Sequence, residues 1–237
     1  MYVLGIETAT SVASIALISG DVILSERMIN SRCTHSVNLI NMIDDTLKSA
    51  GVELAQLGGV AVSVGPGSFT GLRIGITVAK ILAFALQIPV APVSTLKAMA
   101  YKLYGCEAVI CPMLNARKGE IYTAMYKMFD GRLVNVSSPA AMPIEQLIDI
   151  LNGEMHKTIF LGDAVKTHYE KLASGVKIET IFAFDSLNEP SAANVALLGS
   201  ETLQRGEGIN SFTLKPEYIC LSQAEVKWNE KHQTNRG

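Results

Sequence analysis

The chain has 237 residues, 49% of them hydrophobic and 18% charged, with a formal net charge of -2. That is enough chain for one large domain or two lobes around real cores, and it excludes an intrinsically disordered protein. The charge balance excludes nucleic-acid binding driven by the chain's own overall charge, although a partner can carry the basic surface in an RNA pathway.

In chain order, Tyr2 to Ile6 reads as a buried strand, followed by the turn Glu7-Thr-Ala-Thr-Ser11. Val12 to Ile18 is a second apolar strand, and Gly20-Asp21 turns it into a third, Val22 to Arg27. A helix is expected from His35 to Ala50, with Gly51 as its stop. The strand Gly59 to Val64 runs into Gly65-Pro-Gly-Ser-Phe-Thr-Gly-Leu-Arg-Ile-Gly75, and a long apolar helix, Leu72 to Ile88, runs out of it. Next come the strand Pro89 to Val93 and a helix through Tyr104 capped by Ser94 or Thr95.

A second set of strands is expected at Ala108 to Leu114, Glu120 to Phe129 and Leu133 to Ser137. Pro143 opens a helix ending near Gly153. The strand Thr158 to Leu161, a helix from Ala164 to Leu172, the strand Lys177 to Phe182 and a helix from Ala192 to Gln204 complete the pattern. Two rounds of three strands followed by helices predict a duplicated α/β architecture. The expected division is an N-terminal lobe, 1–104, a C-terminal lobe, 105–224, and a polar tail, 225–237.

The most apolar window, Ile74 to Val93, is broken by Lys80, Gln87, Pro89 and Pro92, so it reads as a buried helix and strand and not as a membrane span. The N-terminus turns polar at Glu7 without a basic region, so no signal peptide is expected. Cys33, Cys106, Cys111 and Cys220 form no Cys-x-x-Cys pair and read as buried free thiols in a reducing cytosol.

Chemistry is sparse. The glycine loop lacks the Gly-Lys-Ser/Thr of a P-loop. Gly65, Gly67 and Gly71 match a loose dinucleotide-type pattern, but no acid follows at the end of the next strand. Glu7-Thr8-Ala9-Thr10, an acid before small hydroxyl residues at the end of a first strand, resembles the phosphate loop of actin-like and sugar-kinase-like ATPases. Glu7, Thr8, Thr10, Gly65, Gly67 and Ser68 are therefore the candidate phosphate-loop residues. The histidines His35, His156, His168 and His232 show no metal-ligand spacing, and Ser68 sits in no Gly-x-Ser-x-Gly elbow, so neither a metal site nor a catalytic residue is expected. Asn115-Ala-Arg-Lys-Gly-Glu-Ile-Tyr122 is either a functional loop or a charged hairpin connection. The two long helices are apolar around most of their circumference, which calls for burial on more than one side: one against the sheet, the other against a second subunit.

Gly65 to Gly75 resembles the hallmark loop of the bacterial TsaB (YeaZ) family. Ile6-Glu-Thr-Ala-Thr10, Val93-Ser-Thr-Leu-Lys-Ala-Met-Ala100, Asn115 to Tyr122 and Leu214-Lys-Pro-Glu-Tyr-Ile219 resemble further runs of that family. The resemblance implies an actin-like ATPase (ASKHA) fold of two lobes, each with a mixed sheet flanked by helices. It implies a cytoplasmic, non-catalytic subunit needed with TsaD and the ATPase TsaE to make N6-threonylcarbamoyladenosine at position 37 of tRNAs reading codons that start with A. His35 is followed one turn on by Leu39, not by the second histidine of TsaD-like proteins, and Glu7 and Asn115 stand where the family usually has Asp. The resemblance implies no cofactor on this chain alone, and it leaves ATP or ADP at the complex interface open. It implies pairing with TsaD, a homodimer when alone, tRNA reached only through the complex, and no membrane. The expected interface residues are His35, Leu39, Met42, Ile43 and Thr46 on the first helix and Leu72, Arg73, Ile76 and Lys80 on the second. The alternative is a free-standing actin-like ATPase or hydrolase.

Overall fold

The structure is a computed structural model that describes residues 1–30, 35–117, 119–154 and 156–219, with side chains from residue 38 onward in the first helix. Expectations for the His35 side chain, for Cys33 and Cys220, and for the tail 225–237 lie outside the described residues. Three strands open the chain: β1 (Tyr2–Glu7), β2 (Val12–Ser19) and β3 (Val22–Asn30). β1 and β2 are buried nearly throughout, as two-faced central strands must be, whereas β3 is an exposed edge. After α1 (His35–Ala50) come β4 (Leu57–Gly65), α2 (Phe69–Leu86) and β5 (Val90–Ser94). The first sheet has the order β3-β2-β1-β4-β5, antiparallel across β1 to β3 and parallel across β1, β4 and β5.

The same order recurs. After α3 (Thr95–Ala100), the second sheet is built from β6 (Val109–Asn115), β7 (Glu120–Thr123), β8 (Tyr126–Phe129), β9 (Arg132–Asn135), β10 (Ala140–Pro143), β11 (Thr158–Leu161) and β12 (Thr180–Phe182). Its path is β10-β7-β6-β11-β12, with β8 on β6 and β9 on β8. β6 thus takes the place of β1, β11 that of β4 and β12 that of β5. The strand expected over Glu120 to Phe129 is broken at Ala124-Met125. There the Met125 carbonyl accepts the Val136 and Ser137 amides at 2.7 and 3.2 Å, and the Met125 amide donates to Ser137 Oγ at 2.9 Å. Pro143 ends β10, which the sequence reading missed, and occupies the cap position of α4 (Ile144–Gly153) rather than its first turn.

Hydrophobic interfaces hold the layers. α1 and α2 cover one face of the first sheet, where Leu39, Met42, Ile43, Leu72 and Ile76 meet Leu4, Ile6, Ile15 and Val62. α4 and α5 (Asp163–Gly175) cover the outer face of the second sheet. Between the sheets lie α3 and α6 (Ala192–Gln204), and each crosses over. α6 packs Val195, Ala196 and Leu198 on Val3, Ala61 and Ala91 of the first sheet, while α3 packs Leu96 and Met99 on Ile110, Leu114 and Tyr126 of the second.

Two expectations change. A boundary at 104/105 separates the sheets but not the helices, because the last helix, α6, belongs to the core of the first lobe. The expected interface residues Leu39, Met42, Ile43, Thr46, Leu72 and Ile76 are all buried within the chain. They are the sides of α1 and α2 that the sheet itself takes up. Arg73 is exposed and Lys80 half-buried. The uncovered apolar surface lies instead at Ile40, Ile81 and Phe84, which are 54–61% exposed.

Candidate functional site

The two lobes face each other across a cleft of about 470 Å³. Its walls are strand-end loops, two from each lobe. The first lobe supplies the turn after β1 (Ala9, Thr10, Ser11) and the glycine loop after β4 (Gly67, Ser68, Phe69). The second supplies the end of β6 (Leu114, Asn115), the turn after it (Ala116, Arg117) and Asp163 after β11, with Tyr122 from β7 and Tyr218 from the C-terminal segment. The duplicated strand order explains the set: β1 and β4 in one lobe, β6 and β11 in the other, end at the same place. Open α/β sheets place ligands at such strand ends.

The register that pairs Ile6 with Val62 sets Ser63 of β4 beside Glu7. The Glu7 carboxylate is fully buried and accepts hydrogen bonds from the Ser63 hydroxyl and from the Ala9 amide, the latter at 2.6 Å. Burial pushes its pKa up to about 7, and the bonds from Ser63, Ala9 and Thr8 oppose that rise. Glu7 therefore lies beneath the cleft and shapes its first turn, rather than facing a ligand.

The glycine loop closes over that turn. The Ser68 amide donates to the Ala9 carbonyl at 2.7 Å, and the Thr8 hydroxyl donates to the Gly71 carbonyl at 2.8 Å. A Cβ at Gly67, Gly71 or Gly75 would collide with Ala9 or Thr8, so these glycines let the helix start seat directly on the turn. Ser68 caps α2 by accepting the Gly71 amide at 3.2 Å, which starts the helix at Phe69, earlier than expected. The loop's Ser68 and Gly71 amides are thus engaged within the fold.

Of the candidate phosphate-loop residues, Thr10, Gly67 and Ser68 line the cleft, whereas Glu7, Thr8 and Gly65 do not. Gly65 lies against the C-terminal segment, where the Glu217 amide donates to the Val64 carbonyl at 2.7 Å. That segment is pinned by Arg73, whose guanidinium sits 3.8 Å from the Phe69 ring centroid and whose Nε donates to the Tyr218 hydroxyl at 2.9 Å. Phe69 and Tyr218 stack at 5.1 Å. In the second lobe, Asp163 Oδ1 accepts the Asn115 amide at 2.8 Å. Glu189 carries a carboxyl raised first by burial and then by Asp163.

The sequence reading passed over Ser63, Phe69 and Asp163 as site residues. The signal for Asp163 was present: Gly162-Asp163 follows an apolar strand in the second lobe, as the glycine loop does in the first. Among the described residues no three His, Cys, Asp or Glu side chains cluster as a metal-binding set. Cys106 and Cys111 are free, and burial pushes the Cys111 thiol up to about 12.

Two lobes of one strand order, central helices exchanged between them and a cleft between paired strand-end loops define an actin-like ATPase fold. A family model described as TsaD: tRNA N6-adenosine threonylcarbamoyltransferase matches residues 23–228. The chain is 29% identical over 233 residues to the tRNA threonylcarbamoyladenosine biosynthesis protein TsaB of Bacillus subtilis, covering 98% of this chain and 100% of that one. It is 32% identical over 169 residues to TsaB of Buchnera aphidicola, covering 69% and 79%. The structure of YeaZ from Pseudomonas aeruginosa superposes with a TM-score of 0.79 at 28% identity, covering 92% of this chain and 99% of that one. The chain belongs to this TsaD-like family, and within it to TsaB (YeaZ).

Proposed function

We propose that this chain is a scaffold and activating subunit, without a catalytic centre of its own, in the synthesis of N6-threonylcarbamoyladenosine at position 37 of tRNAs that read codons starting with A. It pairs with a TsaD chain, the ATPase TsaE joins the pair, and the complex works in the cytoplasm with ATP or ADP at a shared interface. The observation that carries the reading is the uncovered side of α2. This helix has a mean hydropathy of 1.6 over 18 residues, and only 33% of them are buried. Its other side is core, with Ile74, Val78, Leu82 and Leu86 packed against it, so it reads as a core helix with a spare apolar patch at its C-terminal end rather than as a membrane span. Ile81 and Phe84 stand out from it, and Phe84 meets the exposed ring of Phe212 edge-on at 5.3 Å. This face fits a TsaD partner, or a second copy of the chain when TsaD is absent. The burial of Glu7, and Asn115 where a carboxylate would serve a metal, support the absence of independent chemistry.

Reconstituted modification of unmodified tRNA, with TsaD and TsaE present and this chain added or omitted, tests the proposal. Product only when the chain is added, and none from the chain alone, is expected. Undiminished product without it overturns the reading. The cleft favours a second reading, a free-standing ATPase, because Thr10, Ser68 and Arg117 line a space of ligand size. Tight binding or turnover of ATP with Mg²⁺ by the isolated chain would put that reading first.

A further inference from the structure

A second cavity, of about 230 Å³, shares no lining residue with the inter-lobe cleft. β5, α3, the β8–β9 hairpin and α6 build its walls. Three cations line it, Lys97, Arg132 and Arg205, against one carboxylate, Glu201. Arg205 is paired, its Nε 2.9 Å from Glu207, and Glu201 accepts the Tyr101 hydroxyl at 3.4 Å. Lys97 and Arg132 have no carboxylate partner among the described residues. Lys97 is half-buried and Arg132 exposed, so both ends of this pair can meet an anion that enters the cavity from solvent.

Beside these cations stands Tyr104, 53% exposed. Its hydroxyl is tied to the Gly131 carbonyl at 2.7 Å, and its ring lies 5.3 Å from that of Tyr101. The ring is therefore held in place while much of it stays open, as a stacking platform requires. The space is smaller than the roughly 300 Å³ at which pockets begin to enclose a whole drug-sized ligand. It suits one phosphate and its sugar, with a base left outside against Tyr104.

We propose that this cavity binds a single phosphodiester of an RNA backbone, with Lys97 and Arg132 neutralising the charge and Tyr104 stacking on the adjoining base. The choice of RNA rests on the proposed role in tRNA modification. The site places one direct RNA contact on this chain, in contrast to the expectation that tRNA is reached only through its partners. Net charge conceals it because Lys97 and Arg132 are 35 positions apart and meet only through the fold.

The test is titration of fluorescently labelled, unmodified tRNA transcript with the full chain, alone and in the reconstituted complex, over a range of salt concentrations. The double variant Lys97→Glu/Arg132→Glu is expected to weaken binding by about tenfold or more and to flatten the log–log salt dependence by roughly one to two units. Tyr104→Ala should weaken binding with the salt slope unchanged. Thermal melting confirms that each variant is folded, and Lys97→Arg, which keeps the charge, should restore most of the affinity. Unchanged tRNA affinity in a folded double variant overturns the proposal. So does loss of inorganic phosphate binding without loss of tRNA binding, which would make the cavity a small-anion site. Failure here leaves the product assay of the proposed function intact, and failure of that assay leaves this titration readable.

Discussion

The Thr8 hydroxyl donates to the carbonyl oxygen of Gly71 at 2.8 Å, bridging 63 residues of chain. It joins the turn after β1 to the first turn of α2, the two segments with the most pronounced motifs. Gly71 has no room to change, since a Cβ there would run into the Thr8 carbonyl. Gly71→Ala is expected to destabilise the fold by about 1 to 3 kcal/mol, the usual range for overpacking. Urea denaturation measures it, and a stability equal to that of the parent protein would refute the close approach.

Glu7 makes stability depend on pH with a definite sign. Its folded pKa of about 7 lies above the 4.5 that is ordinary for a glutamate carboxyl. The folded state therefore holds the proton more tightly than the unfolded one. Its contribution is fully present below the unfolded pKa and is lost as pH rises through the folded value. Between about pH 4.5 and 7 the loss is on the order of 3 kcal/mol. Glu7→Gln keeps an acceptor for Ala9 and removes the titration. Melting temperatures should fall from pH 5 to 7.5 in the parent protein and stay nearly level in the variant.

The buried and exposed sides of the α1–α2 layer should respond differently. Leu39 is fully buried, so Leu39→Ala should cost about 2 to 5 kcal/mol. Phe84 is 54% exposed, so Phe84→Asp should change stability by less than about 1 kcal/mol. The same Phe84→Asp change, combined with Ile81→Asp, should abolish co-elution with TsaD and self-association in size-exclusion chromatography. Retained association in the double variant would count against this face as the docking surface.

Arg73 holds the C-terminal segment at the cleft through Phe69 and Tyr218. Arg73→Ala should cost about 1 kcal/mol and loosen that segment before the rest of the fold. Hydrogen exchange at the Glu217 amide, which donates to Val64, should accelerate while amides of β1 and β4 stay protected.

Much of the architecture was legible because its signals are local. Apolar runs such as Val12 to Ile18 and the cap at Ser94 are written in neighbouring residues. The β7–β8 break was not legible, because Ala124-Met125 is as apolar as the strands beside it and the distortion depends on Ser137 across the hairpin. The candidate site was half legible. The Glu7 turn and the glycine loop stood out, but periodicity could not tell which side of an almost wholly apolar helix faces the sheet. Leu39 and Ile76 therefore went to the wrong surface.

By itself, the sequence determined that the chain forms two rounds of strands and helices, that its glycines crowd one strand-to-helix turn, and that its motifs resemble those of the TsaB family. Only the tertiary structure decided that those glycines seat α2 on the Thr8–Ala9 turn, that Glu7 is buried and not exposed to a ligand, and that α6 returns to the first lobe. The reason is physical. Propensity and capping act over a few residues, whereas burial, pKa and close approach depend on which distant segments exclude water from one another.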